Sequence, residues 1–293
     1  MREPGSVPIF AACVLIWGTT WLAITFQLGR VAPEASVFYR FLIASLLLFA
    51  FCLARRLPLR FSRQQHAWIA LQGFLMFCVS YVFVYYAEQN VVSGLVAVGY
   101  SASPLLAMVG LRAFFGTPMT PRVAAGSLLG IVGIALVFWP EFAHLKGGGR
   151  PVVGAVFTVL SVLFSSGGSL VAHRNHEAEL PLWQTMAWGM LYGAFGALLI
   201  TYGVGESLAF QPTAPYVLSL LYLSVFGSIV AFGGYLTLMR RVGAARSGYI
   251  GVMVPIVALV ISSLFEKFDW HPLTFAGIAV SVAGNIVILR ERQ

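Results

Sequence analysis

Charge is what this chain has least of. Asp, Glu, Lys and Arg make up 10% of its 293 residues, where a soluble domain carries about 25%, so there are too few charged side chains to cover a water-facing surface. Acid is scarcer than base, ten Asp and Glu against eighteen Lys and Arg, for a formal net charge of +8. No basic stripe is long enough to track phosphates, so that surplus does not point to nucleic acid. Cysteine is rare too: Cys13, Cys52 and Cys78 each sit within an apolar run, which argues against a disulfide framework. No Asp falls in any predicted helix and no His lies deep in a span. A membrane-embedded hydrolase would need a buried nucleophile with its base, or a metal cluster. Rings of charge or carbonyl filters, the marks of a channel, are not readable either. The first apolar segment runs past Ala11-Ala12-Cys13 without a cleavage-type boundary, so the expectation is that it stays as a helix rather than leaving as a signal peptide.

What is there is hydrocarbon: 59% of residues are apolar and the mean hydropathy is +0.87. A helix crosses a bilayer with ~20 mostly apolar residues, so the chain has room for roughly ten crossings. A transmembrane barrel would alternate polar and apolar positions, and continuous runs such as 41–53 do not. Helices are predicted at 7–27, 34–54, 67–88, 91–115, 122–139, 151–172, 182–204, 215–239, 245–265 and 272–290. Gln89-Asn90 alone separates the third from the fourth, which predicts a tight hairpin. With the N-terminus inside, thirteen Lys and Arg fall on the cytoplasmic side (Arg2, Arg55, Arg56, Arg60, Arg63, Arg112, Arg122, Arg174, Arg240, Arg241, Arg246, Arg290, Arg292). Four fall outside (Arg30, Lys146, Arg150, Lys267), and Arg40 lies within a helix. By the positive-inside bias both termini are cytoplasmic.

The chain also contains one stretch twice. At an offset of 151 positions Pro104 superimposes on Pro255, Pro121 on Pro272, Gly126 on Gly277 and Gly133 on Gly284. Ala107, Val109, Phe114 and Ala125 meet their own kind as well, eight identities in 34 positions. Half of these are Pro or Gly, which mark backbone geometry rather than mere hydrophobicity. Five helices per copy is an odd number, so the second copy enters the membrane with the opposite orientation to the first. The fold class expected is therefore an all-α polytopic membrane protein, ten transmembrane helices as two inverted five-helix repeats around a central cavity. Such repeats suit alternating access. The boundaries are 1–140 and 151–293, with an outer linker at 141–150 that includes Gly147-Gly148-Gly149.

Trp17-Gly18-Thr19-Thr20-Trp21 in helix 1, Phe38-Tyr39-Arg40-Phe41 in helix 2, and the twice-used proline, apolar run, Pro-x4-Gly-x6-Gly resemble the drug/metabolite transporter superfamily. The resemblance is to its ten-helix, EamA-type branch and covers nearly the whole chain. It implies ten helices, cytoplasmic termini, a cavity between the halves and export of small metabolites, with amino-acid exporters, aromatic ones included, as the subgroup. One departure stands out: the family often closes the fourth helix of each half with Glu. Glu266 does so in the second half, whereas the first has Gly116. The superfamily's four-helix multidrug members use a helix 1 Glu, and helix 1 has no acid between Pro4 and Arg30. That favours uniport-like export down the substrate gradient. Intramembrane carboxylates are the usual proton relays, and Glu88, at the outer end of helix 3, is the candidate for a rival proton-coupled mechanism.

Arg40 lies six residues beyond Glu34, ~9 Å deep at helical rise. It could bind a substrate carboxylate, or it could be structural, paired to Glu34 or to carbonyls, or snorkelling outward. The structural role comes first, because the family pattern has this Arg in binders of many substrate kinds. Trp17 and Trp21 are i, i+4 on helix 1, as are Tyr81 and Tyr85 on helix 3, with Glu88 one turn on. Tyr100 and Ser101 precede Pro104, Tyr249 precedes Pro255, and Tyr235 lies in helix 8. Trp183 and Trp188 suit an interfacial belt. The mid-span Trp17, Tyr81 and Tyr100 suit the cavity, where an indole or phenol needs a partner. Ser165 belongs to a Ser- and Gly-rich stretch of helix 6 that permits close backbone approach. Pro104 and Pro255 are candidate hinges, and Gly126, Gly133, Gly277 and Gly284 are expected as packing glycines. His173 and His176 have HxxH spacing but fall in a predicted cytoplasmic loop without an obvious third ligand, so no metal is expected, nor any cofactor. The partners expected are the lipid bilayer and a small-molecule substrate, with the monomer as the functional unit.

Overall fold

The computed structural model describes residues 5–116, 120–143, 149–266, 268 and 270–290. Arg2, Lys146, Lys267 and Arg292, counted above for orientation, and 144–148 of the linker lie outside them. Among the described residues every regular element is helical. We number them α1 Ser6–Thr25, α2 Pro33–Ala54, α3 Arg63–Glu88, α4 Ser93–Phe115, α5 Pro121–Ala143, α6 Arg150–Glu177 and α7 Leu182–Gly203. There follow α8 Ala214–Tyr235, α9 Tyr249–Phe265 and α10 Pro272–Arg290. Six of them, α1, α2, α3, α6, α7 and α8, are long and apolar enough to cross a membrane.

Proline stands in the first turn of α2, α5, α6, α8 and α10, where its missing N–H breaks no helical bond. The polar entry to α3 is held by a capping box: Gln65 N–H donates to Ser62 Oγ, and Ser62 N–H to Gln65 Oε1. The helices present apolar residues outward, among them Phe114, Leu199, Leu218 and Leu264, while Arg40, Glu34, Gln27, Gln72 and Glu88 are buried. Water would reverse that distribution; a bilayer favours it.

Two predicted breaks are helical. The 240–244 gap lies inside an unbroken helical run, Ala231–Phe265, yet the chain must double back there. Trp17 Nε1 donates to Gly227 O, while the neighbouring Gly18 packs on Val254 and Val257. A straight helix would hold 227 and 257 ~45 Å apart at its usual rise. So α8 and α9 are antiparallel neighbours, both against α1. The second correction is the loop expected at 173–176. It is the last turn of α6, continued to Glu177 and tied to α3 there: buried Asn175 Nδ2 donates to Gln72 Oε1 at 2.9 Å, and the Arg174 guanidinium stands 4.5 Å from the Trp68 ring centroid.

Helices before the 141–150 stretch pair with helices after it. α2 packs on α7, where Ser45 Oγ donates to Ala187 O at 2.8 Å. α1 packs on α8 and α9, while α6 packs on α3 and α4. α5 packs on α10 through the expected glycines. A Cβ on Gly133 would fall 2.6 Å from Gly277 O, and one on Gly284 would fall 2.4 Å from Gly126 O. Bare backbone there allows van der Waals approach that any side chain would block.

α3 and α8 each contain a π-helical segment, Phe74–Val79 and Leu223–Val230. Shifted by 151 positions the first lands inside the second. Such bulges widen a helix by one residue per turn and recur at functional sites.

Candidate functional site

α2, α3 and α8 meet around one buried cation. Arg40 is 2% exposed, and its guanidinium carbon stands 4.5 Å from the Tyr81 ring centroid and 5.2 Å from that of Phe41. The π-helical segment of α8 makes the room. Ser224 Oγ donates to Arg40 O at 3.1 Å, and a Cβ on Gly227 would fall 3.6 Å from Arg40 Nη2. Of the structural roles open to Arg40, Glu34 is not its partner: the Tyr86 hydroxyl donates to Glu34. Nor does Arg40 snorkel. Its Nε and Nη1 have no hydrogen-bond partner among the described residues. A buried, unsatisfied guanidinium is costly, and the face of Tyr81 offsets only part of that cost.

Tyr81, Tyr85 and Glu88 follow at i, i+4 and i+7, one face of α3. The Tyr85 hydroxyl lies within Arg40's reach and donates to Gln27 Oε1 at 2.5 Å. Glu88, 7% exposed, has no hydrogen-bond partner at either carboxylate oxygen among the described residues.

Rings extend the site. Trp17 lies edge-on to Phe232 at 5.2 Å and tilted against Tyr235 at 5.7 Å. Phe232 meets Phe77, Phe77 meets Phe41, and Phe41 meets Tyr81 at 4.9 Å. Trp21 meets Tyr100 at 5.1 Å. The Tyr100 hydroxyl is 2.9 Å from Ser80 Oγ and faces Ser161 and Ser165. Thus Trp17, Arg40, Tyr81 and Tyr235 belong to one run of contacts, with Tyr85 beside Arg40, while Trp21, Tyr100 and Ser165 belong to a second; Glu88 shares the α3 face of Tyr81 and Tyr85.

Ser101 lies apart. It lines a cavity of about 10 Å³ with Pro255, Ser281 and Asn285, between α4, α9 and α10, room for roughly one water. Among the described residues no contact joins half-buried Tyr249 to the Arg40 group. The two hinge candidates differ: the turn before Pro104 is 3₁₀, Tyr100–Ala102, whereas the helix runs on through Pro255. Proline at 104 cannot bond the carbonyl of 100, and the chain tightens there. His173 is exposed on α6, edge-on to Phe115, and the described residues hold no group of three His, Cys, Asp or Glu fit for a metal.

Sequence reasoning marked Glu266 only as a match to the family pattern, with Gly116 as the departure. The structure shows its bonds. Glu266 Oε1 accepts Ser93 N–H at 3.1 Å and Oε2 accepts Ser262 Oγ at 2.5 Å, with the Ser93 hydroxyl as a third donor. Ser262 Oγ in turn accepts Gly94 N–H at 2.8 Å. The end of α9 therefore caps the start of α4, supplying acceptors to N–H groups that have none within their own helix. The π-helical segments were also missed, because no residue preference distinguishes them from α-helix.

The EamA-like transporter family matches residues 6–139 and again 152–290. The chain belongs to the EamA-like transporter family. Among its relatives is the uncharacterized inner membrane transporter YedA of Escherichia coli K12, 29% identical over 96% of this chain and 92% of that protein. An uncharacterized transporter of Archaeoglobus fulgidus is 21% identical over 97% and 98%. The chloroplastic WAT1-related protein At3g02690 of Arabidopsis thaliana is 24% identical over 93% and 66%. A protein of known crystal structure shares the fold, with a TM-score of 0.69 at 19% identity over 98% of each chain.

Proposed function

We propose that this transporter exports small amphipathic metabolites, foremost amino acids including aromatic ones, by alternating access in a uniport-like manner. The observation that carries the reading is Arg40, buried with Nε and Nη1 unbonded and set among aromatic rings. Free donors of that kind suit a carboxylate, and the rings from Trp17 to Tyr81 suit a flat side chain. Two inverted five-helix repeats, 1–140 and 151–293, form the moving halves on either side of the 141–150 linker. The double family match, the paired π-helical segments and the reciprocal contacts Gly133–Gly277 and Gly126–Gly284 support that symmetry. In a two-fold pair, residue i meets j and j meets i. The place is the cytoplasmic (inner) membrane, as the name of the Escherichia coli relative suggests, with both termini cytoplasmic and the monomer as the working unit.

A second reading is proton-coupled export of a drug, nucleoside or other metabolite, with Glu88 as the coupling acid. The unbonded, buried carboxylate favours it. One experiment separates the two. Purified protein in liposomes is loaded with radiolabelled aromatic, branched or polar amino acids, and efflux is followed with and without an imposed pH gradient. Saturable aromatic flux indifferent to the gradient is the expected result. Flux that needs the gradient supports the second reading, and no flux of any amino acid sinks the first.

A further inference from the structure

The end of α9 and the start of α4 do more than cap one another. We propose that Ser93, Gly94, Ser262 and Glu266 form a latch that shuts the path between α4 and α9 at one end of the bundle only, so that the empty transporter rests closed at that end. This rests on the alternating-access reading above, and the proposed orientation puts the latch on the outer side.

Three observations carry it. The first is contact. Ser93 and Ser262 are buried, their Oγ atoms stand 3.1 Å apart, and both hydroxyls donate to Glu266 Oε2. A Cβ on Gly94 would fall 2.8 Å from Ser262 Oγ and 3.0 Å from Leu259 Cα, so the two helices touch through their backbones and leave no passage at that level. One turn further in they part, and Val98 and Ser101 line a cavity of about 10 Å³ together with Pro255 and Ile256.

The second is leverage. Ser93 lies eleven residues before Pro104, and Glu266 eleven residues after Pro255, ~16 Å of helix in each case. A further bend of ~20° at either proline, the size of a helix kink, swings the tip by ~5 Å and parts every bond of the latch. Those bonds converge on one carboxylate and one serine pair, so they break together.

The third is one-sidedness. The 151-position offset carries Ser93, Gly94, Ser262 and Glu266 onto Ala244, Ala245, Leu111 and Phe115, the neighbour of Gly116. None of these four side chains can donate or accept a hydrogen bond. In an inverted repeat they stand at the opposite end of the bundle, where the same bonds cannot form. Opening the latched end therefore loses bonds that closing the other end does not replace, and the population lies with the latch shut.

The test is disulfide crosslinking in substrate-free liposomes with copper phenanthroline. The Ser93 and Ser262 Oγ separation leaves a disulfide within reach, and Cys13, Cys52 and Cys78 are buried, with single-cysteine variants as controls for bonds to them. Ser93→Cys with Ser262→Cys should crosslink ~10-fold or more faster than the mirror pair Leu111→Cys with Ala244→Cys, the ratio expected when the other state is a minor one. Adding Glu266→Gln to the first pair should slow its crosslinking several-fold. Once oxidised, the first pair should carry phenylalanine at less than about a tenth of its reduced rate, with flux restored by dithiothreitol. Equal crosslinking of the two pairs overturns the one-sided rest, whether or not the Glu266→Gln protein folds. Full flux through the oxidised first pair overturns the latch. The crosslinking rates need no substrate, so a wild type without phenylalanine flux counts against the amino-acid reading alone.

Discussion

Arg40 is the residue on which the proposed site turns, because its side chain is buried and stands against the rings of Tyr81 and Phe41. Arg40→Lys keeps the charge but loses the planar fork and its stacking on Tyr81. If Arg40 binds substrate, the Lys variant should reach the membrane in normal amount with phenylalanine flux reduced ~10-fold or more, since a point charge cannot replace a bidentate contact. Lost expression with the monodisperse gel-filtration peak gone would place Arg40 in the structural role instead. Tyr81 lends itself to a finer cut: Tyr81→Phe keeps the ring under the guanidinium and should keep flux within ~3-fold, while Tyr81→Ala removes a cation–π contact of order 1–2 kcal/mol and should not.

At the scale of elements, glycine contacts and one carboxylate decide how the helices meet. Gly133→Leu would drive a side chain into the backbone of α10 at Gly277 and Ser281. Overpacking of this kind costs about 1–3 kcal/mol, so the melting temperature in detergent should fall, and Gly284→Leu should act alike through Gly126 and Gly130. Gly149→Ala, whose Cβ would meet nothing within 4 Å, is the control expected to leave it unchanged. Glu266 ties α9 to α4 from one half only, since α4 ends at Gly116, a left-handed residue at φ 68° with no acid to offer. Glu266→Gln leaves one oxygen and weakens the charge-assisted bonds to Ser93 and Ser262, each worth roughly 1.5–3 kcal/mol. A cysteine at Asn90, beside this junction, should then react several-fold faster with a membrane-impermeant maleimide. Unchanged labelling would mean that the junction does not govern access.

For the whole molecule, the duplication makes a prediction about assembly. If 1–140 and 151–293 are separate folding units, residues 1–143 and 149–293 expressed as two chains should associate and restore phenylalanine flux to within a few-fold of the intact chain, because contacts of α1 with α8 and α9, α2 with α7, α3 and α4 with α6, and α5 with α10 join them and linkers contribute mainly effective concentration. Two halves that insert but never co-purify would count against the two-unit reading.

Much of this was legible in advance. Low charge and long apolar runs require a bilayer, whatever the packing, because the transfer cost is local to each segment. Helix positions follow from that, and the paired prolines and glycines disclose the repeat, since only backbone constraint explains their recurrence. Trp17, Tyr81 and Arg40 could be singled out because polar groups in mid-span are costly. Other features depended on neighbours distant in sequence. That Glu34 meets Tyr86 rather than Arg40, that Glu266 caps α4, that Ser101 faces a different space from Tyr100, and that α3 and α8 open into π turns all follow from which helices touch, and periodicity on one helix carries no information about the next. The apolar surroundings and most helix positions can be read from the chain alone, because they rest on local free energies, and the family model's two matches support the internal repeat. Which buried charges lack partners among the described residues follows instead from how the helices pack, because satisfaction of a polar group belongs to the pair and not to the residue.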